Sequence, residues 1–255
     1  MLKKRIIFTL LFCDNYFVLS RNFNLQKVGD LQWLEKNYNF KETAKFIDEL
    51  IILNISRKNN YKKEFINILK KISANVFVPI SAGGGIDSIE MVSELMNSGA
   101  DKVIVNSALA NDNKLISKIV KTYGSQSLVG SIDYLKINNL YKIMIANGKI
   151  QLNTTLSQYI EKIVKMGVGE IYLNSIERDG TGQGMDLTII NKIKKYLNIP
   201  IILAGGAGNA QHFYDAIKNN KINAVATANL YNFVGDGLKK SRSILINKKV
   251  DLPVW

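Results

Sequence analysis

The chain has 255 residues, 47% of them hydrophobic and 22% charged, enough to bury a sizeable core in a single domain spanning 1–255. Its formal charge of +13 is carried by lysines scattered through KKEFINILKKIS, NKLISKIVKTYG and NKIKKYLN at amphipathic-helix spacing, a pattern of solvated faces rather than of a nucleic-acid patch. The single cysteine, Cys13, excludes an internal disulfide framework, and no apolar run reaches the roughly 20 residues of a membrane span, so a cytoplasmic protein with no nucleic-acid or membrane partner is expected.

The start, MLKKRIIFTLLFC, is basic and then apolar like a signal peptide, but Asp14 and Asn15 interrupt it and no small-residue cleavage site follows. In chain order, RIIFTLLF, ELIILNIS, VFVPISA, KVIVN, SLVGSID, EIYLNSI, PIILAGG and NAVATAN read as eight buried strands. Between them KKEFINILKKIS, SIEMVSELMNSG, NDNKLISKIVKTYG, LSQYIEKIVKMG and MDLTIINKIKKYL read as helices. DNYFVLSRNFNLQKVGDL, after the first strand, is expected to be a long loop, and YLKINNLYKIMIANGKIQLN, after the fifth, a hairpin or irregular excursion. Parallel strands need helical crossovers, so the alternation predicts a (β/α)8 TIM barrel, with an open doubly wound sheet as the competitor.

An internal repeat decides between them. SAGGGID around Gly83 and LAGGAGN around Gly205 are near copies 122 residues apart, and ILNIS at 52–56 echoes YLNSI at 172–176. Two similar half-barrels of four units each account for both offsets.

The glycine runs carry the clearest chemistry. Each follows a strand and precedes a helix, where bare backbone N–H groups can hold an anion, and small polar residues follow one strand later. Gly84 and Gly85 with Asn106 and Ser107, and Gly205 and Gly206 with Ala228 and Asn229, are therefore expected to bind a phosphorylated small molecule carrying a phosphate at each end. The plainer reading is a tight strand-to-helix turn. His212, the only histidine, is expected to pack or cap a helix; without a Cys or His cluster, no metal and no cofactor is expected.

LKKRII, DELIILNI, GGGI, GADKVIVNSA, GSQSLVGSID, GEIYLNSIERDGT and AGGAG, in this order over almost the whole chain, resemble the cyclase subunit of imidazole glycerol phosphate synthase, a family of histidine biosynthesis. The resemblance implies a barrel that takes ammonia from a glutaminase subunit docked on its N-terminal face, passes it through the interior and uses it at the C-terminal face. It also implies a catalytic pair of aspartates ending strands one and five. Asp133 matches the second. Leu11, its mate in the 122-residue repeat, stands where the first belongs and cannot exchange a proton. Asp14, three residues on, would serve only if a loop bent it back. Asn54 replaces a family aspartate and Leu19 a family lysine. Asp179, Gly180 and Thr181 match the family's ligand-binding loop, Arg5, Glu49, Lys102 and Glu170 its ring of alternating charges at the ammonia entrance, and Asp101 a contact with the glutaminase.

Leucines in TLLFC, the LNSI segment and the ending FVGDGLKKSRSILI further resemble a branch of cyclase-like proteins found with N-acetyl sugar amidotransferases of bacterial surface-polysaccharide synthesis. The implied role is delivery of ammonia to such an amidotransferase, with weak or no cyclase activity. A working cyclase-lyase and a sister-family sugar-phosphate isomerase are the alternatives.

Overall fold

The computed structural model describes residues 3–38, 40–56, 62–193, 198–228 and 236–253. Its strands are β1 (Arg5–Cys13), β2 (Tyr16–Arg21), β3 (Asn24–Gly29), β4 (Glu49–Asn54), β5 (Ile80–Gly83), β6 (Lys102–Val105), β7 (Leu128–Ile137), β8 (Leu140–Ile145), β9 (Ile150–Gln151), β10 (Glu170–Ser175), β11 (Ile201–Ala204) and β12 (Ala224–Thr227). The helices are α1 (Leu31–Tyr38), α2 (Phe40–Thr43), α3 (Lys62–Ser73), α4 (Ile89–Asn97), α5 (Ser107–Asn111), α6 (Asn113–Tyr123), α7 (Leu156–Lys165), α8 (Ala210–Ile217) and α9 (Gly237–Asn247). Strands β1, β4, β5, β6, β7, β10, β11 and β12 pair in parallel in that order and β12 returns to β1, closing the expected (β/α)8 barrel. Among the described residues no helix is long and apolar enough to cross a membrane.

Closure explains why the strands read as unbroken apolar runs: both of their faces are buried. On β1, Ile6, Phe8, Leu10 and Phe12 point out into the layer under the helices. Ile7 points into the barrel, where it meets Ile51, Ile104, Val129, Tyr172 and Ile202. The helices begin where their capping residues stand. Ser88 Oγ accepts from the Met91 N–H, Asp112 from Leu115, Asn209 from His212, and Thr155 forms a capping box with Gln158.

Two expectations are corrected. The segment after β1 is not a loop but the antiparallel pair β2–β3, joined by two-residue turns at Asp14–Asn15 and Asn22–Phe23 with φ between 49° and 70°. Asn and Asp tolerate that left-handed backbone, and such turns match strand twist. The expected hairpin after β7 is present as β8–β9, its turns at Asn138–Asn139 and Ala146–Asn147 each 124 residues beyond their counterparts, so the repeat extends to the hairpins. In MDLTIINKIKKYL, residues Leu187–Lys192 form a 3-10 helix instead of an α-helix, and residues 194–197 lie outside the described residues. The run Thr188, Ile189 and Ile190 is β-branched, which crowds an α-helical turn.

The bottom rim is fastened by a buried ion pair. Arg242 of α9 donates to Asp48 Oδ1 at 2.8 Å and to the Pro253 carbonyl, while Asp48 Oδ2 accepts the Ile6 N–H at 2.8 Å. Both side chains are nearly inaccessible, 8% and 1% exposed, so losing one partner strands the other's charge. Arg242→Met is expected to cost about 3–5 kcal/mol in urea unfolding; a loss under ~1 kcal/mol would show that the pair does not hold the rim.

Candidate functional site

At the C-terminal end of the barrel lies a cavity of about 700 Å³. Its floor is the last inward-pointing layer of the strands, and strand register sorts that layer into two halves. On β7 and β10, Asp133 lies opposite Asn174; on β1 and β4, Leu11 lies opposite Leu53. All four line the cavity. The twofold repeat thus sets a carboxyl–amide pair against a leucine pair.

Asp133 is held from both sides. Asn174 Nδ2 donates to its Oδ1 at 3.2 Å and Asn106 Nδ2 to its Oδ2 at 3.1 Å. Burial pushes its pKa up to about 7; the Asn174 amide opposes that shift, the Asp179 carboxylate adds to it, and the Asn106 amide opposes it. A carboxyl half-protonated near neutrality can give or take a proton. Asp14 is not among the residues that line the cavity: it sits in the β1–β2 turn, its N–H on Ser56 Oγ at 2.9 Å.

Both glycine loops open onto this cavity. Gly84, Gly85, Gly205 and Gly206 line it, as do Asn106, Ser107 and Ala228; Asn229 lies outside the described residues. Three of the glycines, Gly84, Gly205 and Gly206, are required by the backbone alone; at Gly205 φ is 89° and a Cβ would stand 2.7 Å from the Ser175 carbonyl oxygen. At Gly84, φ is 104° and a Cβ would stand 1.9 Å from the Asn54 carbonyl oxygen; at Gly206 it would stand 2.1 Å from the Gly184 oxygen. At Gly85 a Cβ would meet nothing within 4 Å, and there only the φ of 64° calls for glycine.

The hairpin β2–β3 lies over the cavity and is clasped to the 176–181 segment. Asn22 Nδ2 donates to the Ile176 carbonyl at 3.1 Å and to the Glu177 carbonyl at 2.6 Å, and the Asn22 N–H donates to the Asp179 carbonyl at 3.0 Å. The Asp179 carboxylate accepts from Ser20 Oγ and, at 3.2 Å, from the Phe23 N–H. Burial raises its pKa, which Ser20 and Phe23 oppose. Asp179 and Gly180 line the cavity, but this carboxylate is engaged by the hairpin; Thr181 is not in the lining and donates to the Arg178 carbonyl at 2.8 Å. His212 Nδ1 accepts the Gly208 N–H at 3.1 Å at the start of α8, a local cap.

At the opposite end of the barrel Arg5, Glu49, Lys102 and Glu170 meet in a closed ring. Arg5 pairs with Glu49 at 2.6 Å and with Glu170; Lys102 pairs with Glu49 at 3.2 Å and with Glu170 at 3.0 Å. Ser81 Oγ also donates to Glu49. Burial alone would lower the Arg5 pKa and raise that of Glu170, but the opposite charges outweigh it and push each the other way. Between ring and cavity stands the apolar layer of Ile7, Ile51, Val129 and Ile202. Asp101 is exposed, yet its Oδ2 accepts the Ile80 N–H at 2.8 Å, which anchors the start of β5.

Asn174, Leu53 and the clasp of Ser20, Asn22 and Phe23 were not foreseen as site residues. The first two were within reach: Asn174 shares strand parity with Glu170, and Leu53 with Glu49. The folded chain keeps a proton on Asp133 between about pH 4 and 7 that the unfolded chain releases, so stability falls as pH rises through that window. Asp133→Asn is therefore expected to stabilise by about 1–2 kcal/mol at pH 8 and not at pH 4. Thermal melts with the same offset at both values would contradict the raised pKa.

Comparison with known proteins agrees with this architecture. The family described as "Histidine biosynthesis protein" matches residues 25–234. A protein of Parasynechococcus marenigrum, provisionally named imidazole glycerol phosphate synthase subunit hisF2, is 50% identical over 242 residues, 95% of this chain and 90% of its own length. The imidazole glycerol phosphate synthase subunit HisF of Pelodictyon phaeoclathratiforme is 35% identical over 255 residues, all of both chains, and that of Chlorobium limicola 34% identical over 251, 98% of each. The chain belongs to the HisF family of imidazole glycerol phosphate synthase subunits.

Proposed function

We propose that this chain is the HisF-like barrel subunit of a glutamine amidotransferase system, receiving ammonia from a glutaminase partner and delivering it for amidation of a bacterial surface sugar, with weak or no cyclase activity. One observation carries the reading: the cavity that holds Asp133 presents Leu11, paired with Leu53, at the repeat-related position. General acid–base catalysis contributes about 10²–10⁴-fold, and a leucine can supply none of it. Asp133 alone can hold one proton between two amides, but it cannot act as acid and base at once on opposite sides of a ligand.

The other end of the barrel is intact by comparison. Each member of the charged ring has a partner of opposite sign on either side, so the mouth closes with no stranded charge. Lys102 meets the two carboxylates at 3.2 and 3.0 Å, farther than Arg5 meets Glu49 at 2.6 Å, and as a point charge on a flexible stem it is the member that can swing aside with least loss, which suits an entrance for a small neutral molecule. The glutaminase would dock on this N-terminal face, and the acceptor enzyme, an N-acetyl sugar amidotransferase, would receive ammonia from the cavity side.

Full-length similarity to HisF subunits supports a second reading, the cyclase-lyase of histidine biosynthesis. Turnover separates the two. With ammonium ion and the family's bis-phosphate substrate, the purified chain is expected to react at least ~10²-fold more slowly than a HisF subunit with both aspartates; near-normal turnover would establish the second reading instead. With its glutaminase partner, Lys102→Ala is expected to leave the complex assembled while glutamine hydrolysis runs ahead of product formation. Unchanged coupling would remove the ring from the ammonia path. Asp101 is a poor probe of docking, because replacing it also releases the Ile80 N–H.

A further inference from the structure

Five of the eight large apolar side chains exposed among the described residues sit on the two antiparallel extensions at the C-terminal end of the barrel: Tyr16 and Leu25 on β2–β3, and Ile137, Leu140 and Ile150 on β7–β9. Such side chains are ordinary when scattered singly, but gathered around one opening they mark a contact. Strand β10 pairs with β7 only as far as Tyr134, and from Leu135 onward β7 pairs with β8 alone, so this arm stands clear of the barrel wall. Side chains alternate along a strand. Ile137 therefore falls on the face of Asp133, two inward positions further along, and its cross-strand partner Leu140 shares that face; they are 48% and 60% exposed. On the other arm Cys13 and Tyr16 pair in the same way on the face of Leu11. Because β1 and β7 lie four strands apart in the ring of eight, the two tip pairs face each other across the cavity mouth.

We propose that this face is the docking site of the ammonia-accepting enzyme, whose apolar projection, ringed by carboxylates, seats between the arms and closes the mouth. Charge chooses the occupant. The second arm, residues 134–153, carries Lys136, Lys142 and Lys149 and no carboxylate; the first, residues 14–29, carries Arg21 and Lys27 against Asp14, with the Lys27 ammonium over the Tyr16 ring at 3.0 Å. A second copy of the chain would bring like charges together, whereas an acidic partner is complementary. A lipid surface would first meet the turns Asp14–Asn15 and Asn138–Asn139, which are polar. An acceptor also has a reason to close the mouth, since ammonia released into open water is protonated and lost to the reaction. The inference rests on the ammonia-delivery reading and adds to it the surface that the acceptor touches.

The test measures binding of the full chain, together with its glutaminase, to the purified N-acetyl sugar amidotransferase encoded with it, and the amidated sugar formed per glutamine hydrolysed. Ile137→Glu and Leu140→Glu are each expected to weaken acceptor binding at least about tenfold and to lower coupling, with glutaminase binding at the other end unchanged. Lys142→Glu is expected to weaken it about fivefold at low salt and by little at about 0.5 M salt, where exposed charges are screened. Ile246→Glu, the same change at an exposed position of α9, is expected to leave acceptor binding within about twofold. Should either tip variant fail to melt cooperatively, Lys142→Glu reads the same arm. An acceptor complex indifferent to all three arm variants overturns the docking site and leaves ammonia delivery standing. Self-association, or binding to phosphatidylglycerol vesicles, that Leu140→Glu abolishes while acceptor binding is untouched gives the face to a second copy or a membrane and also overturns the proposal. No amidated sugar from glutamine with all three proteins present overturns the delivery reading and this one with it.

Discussion

A closed barrel of eight parallel strands has one interior, and every second residue of every strand must share it. That constraint fixes depth. Along β1 the inward positions are Arg5, Ile7, Thr9 and Leu11, and each belongs to a different level: charged ring, apolar plug, and then two successive layers of the cavity lining. Lateral pairing then decides what each level can be. Four charges are tolerable at the bottom because they close on one another, and burial without such partners would cost several kcal/mol per ion. Among the described residues Asp133 has no counter-ion at its own level, only amides, and burial drives it toward its protonated form.

The two halves share a scaffold more closely than they share chemistry. Both send their first strand past the rim into a hairpin, and both turn it at left-handed two-residue corners. Both place a glycine loop at the end of their third strand. Yet the matched floor positions hold leucines in one half and an acid with its amide in the other. Chemistry in this fold is a property of single inward side chains, and the surrounding architecture is indifferent to their replacement. A change at Leu11 alters what the cavity can do without altering what holds the barrel closed.

Much of this was legible in the sequence. The alternation of apolar runs with amphipathic segments, together with repeated glycine runs, is a direct trace of strand–crossover–strand closure; the helix Lys62–Ser73 follows its apolar spacing, and Asn113–Tyr123 begins where Asp112 caps it. The hairpin after β1 was missed because YFVLSR and NLQKVG are short and Asn22–Phe23 lacks the glycine that usually marks such a turn. The 3-10 stretch at Leu187–Lys192 was missed because helical periodicity does not distinguish the two helix types. At the site, residues with a familiar pattern could be found one by one, including the four ring members. Partnerships could not: that Asn174 and Asn106 converge on one carboxyl, or that Asp179 faces a hairpin about 155 residues away, depends on register and on loops that only the folded chain brings together.

The strap beneath the barrel has a topological meaning. The Lys4 N–H donates to the Asp251 carbonyl at 2.8 Å, beside the Arg242–Asp48 pair, so residues near the two ends of the chain are hydrogen-bonded neighbours. The backbone is nearly a circle. A circle built of two like halves has no privileged starting point: its strands would pair in the same cyclic order if the ends were joined and the chain opened instead between the halves, near Gly124. The charged ring, drawn from β1, β4, β6 and β10, takes members from both halves and so closes only when the two are together.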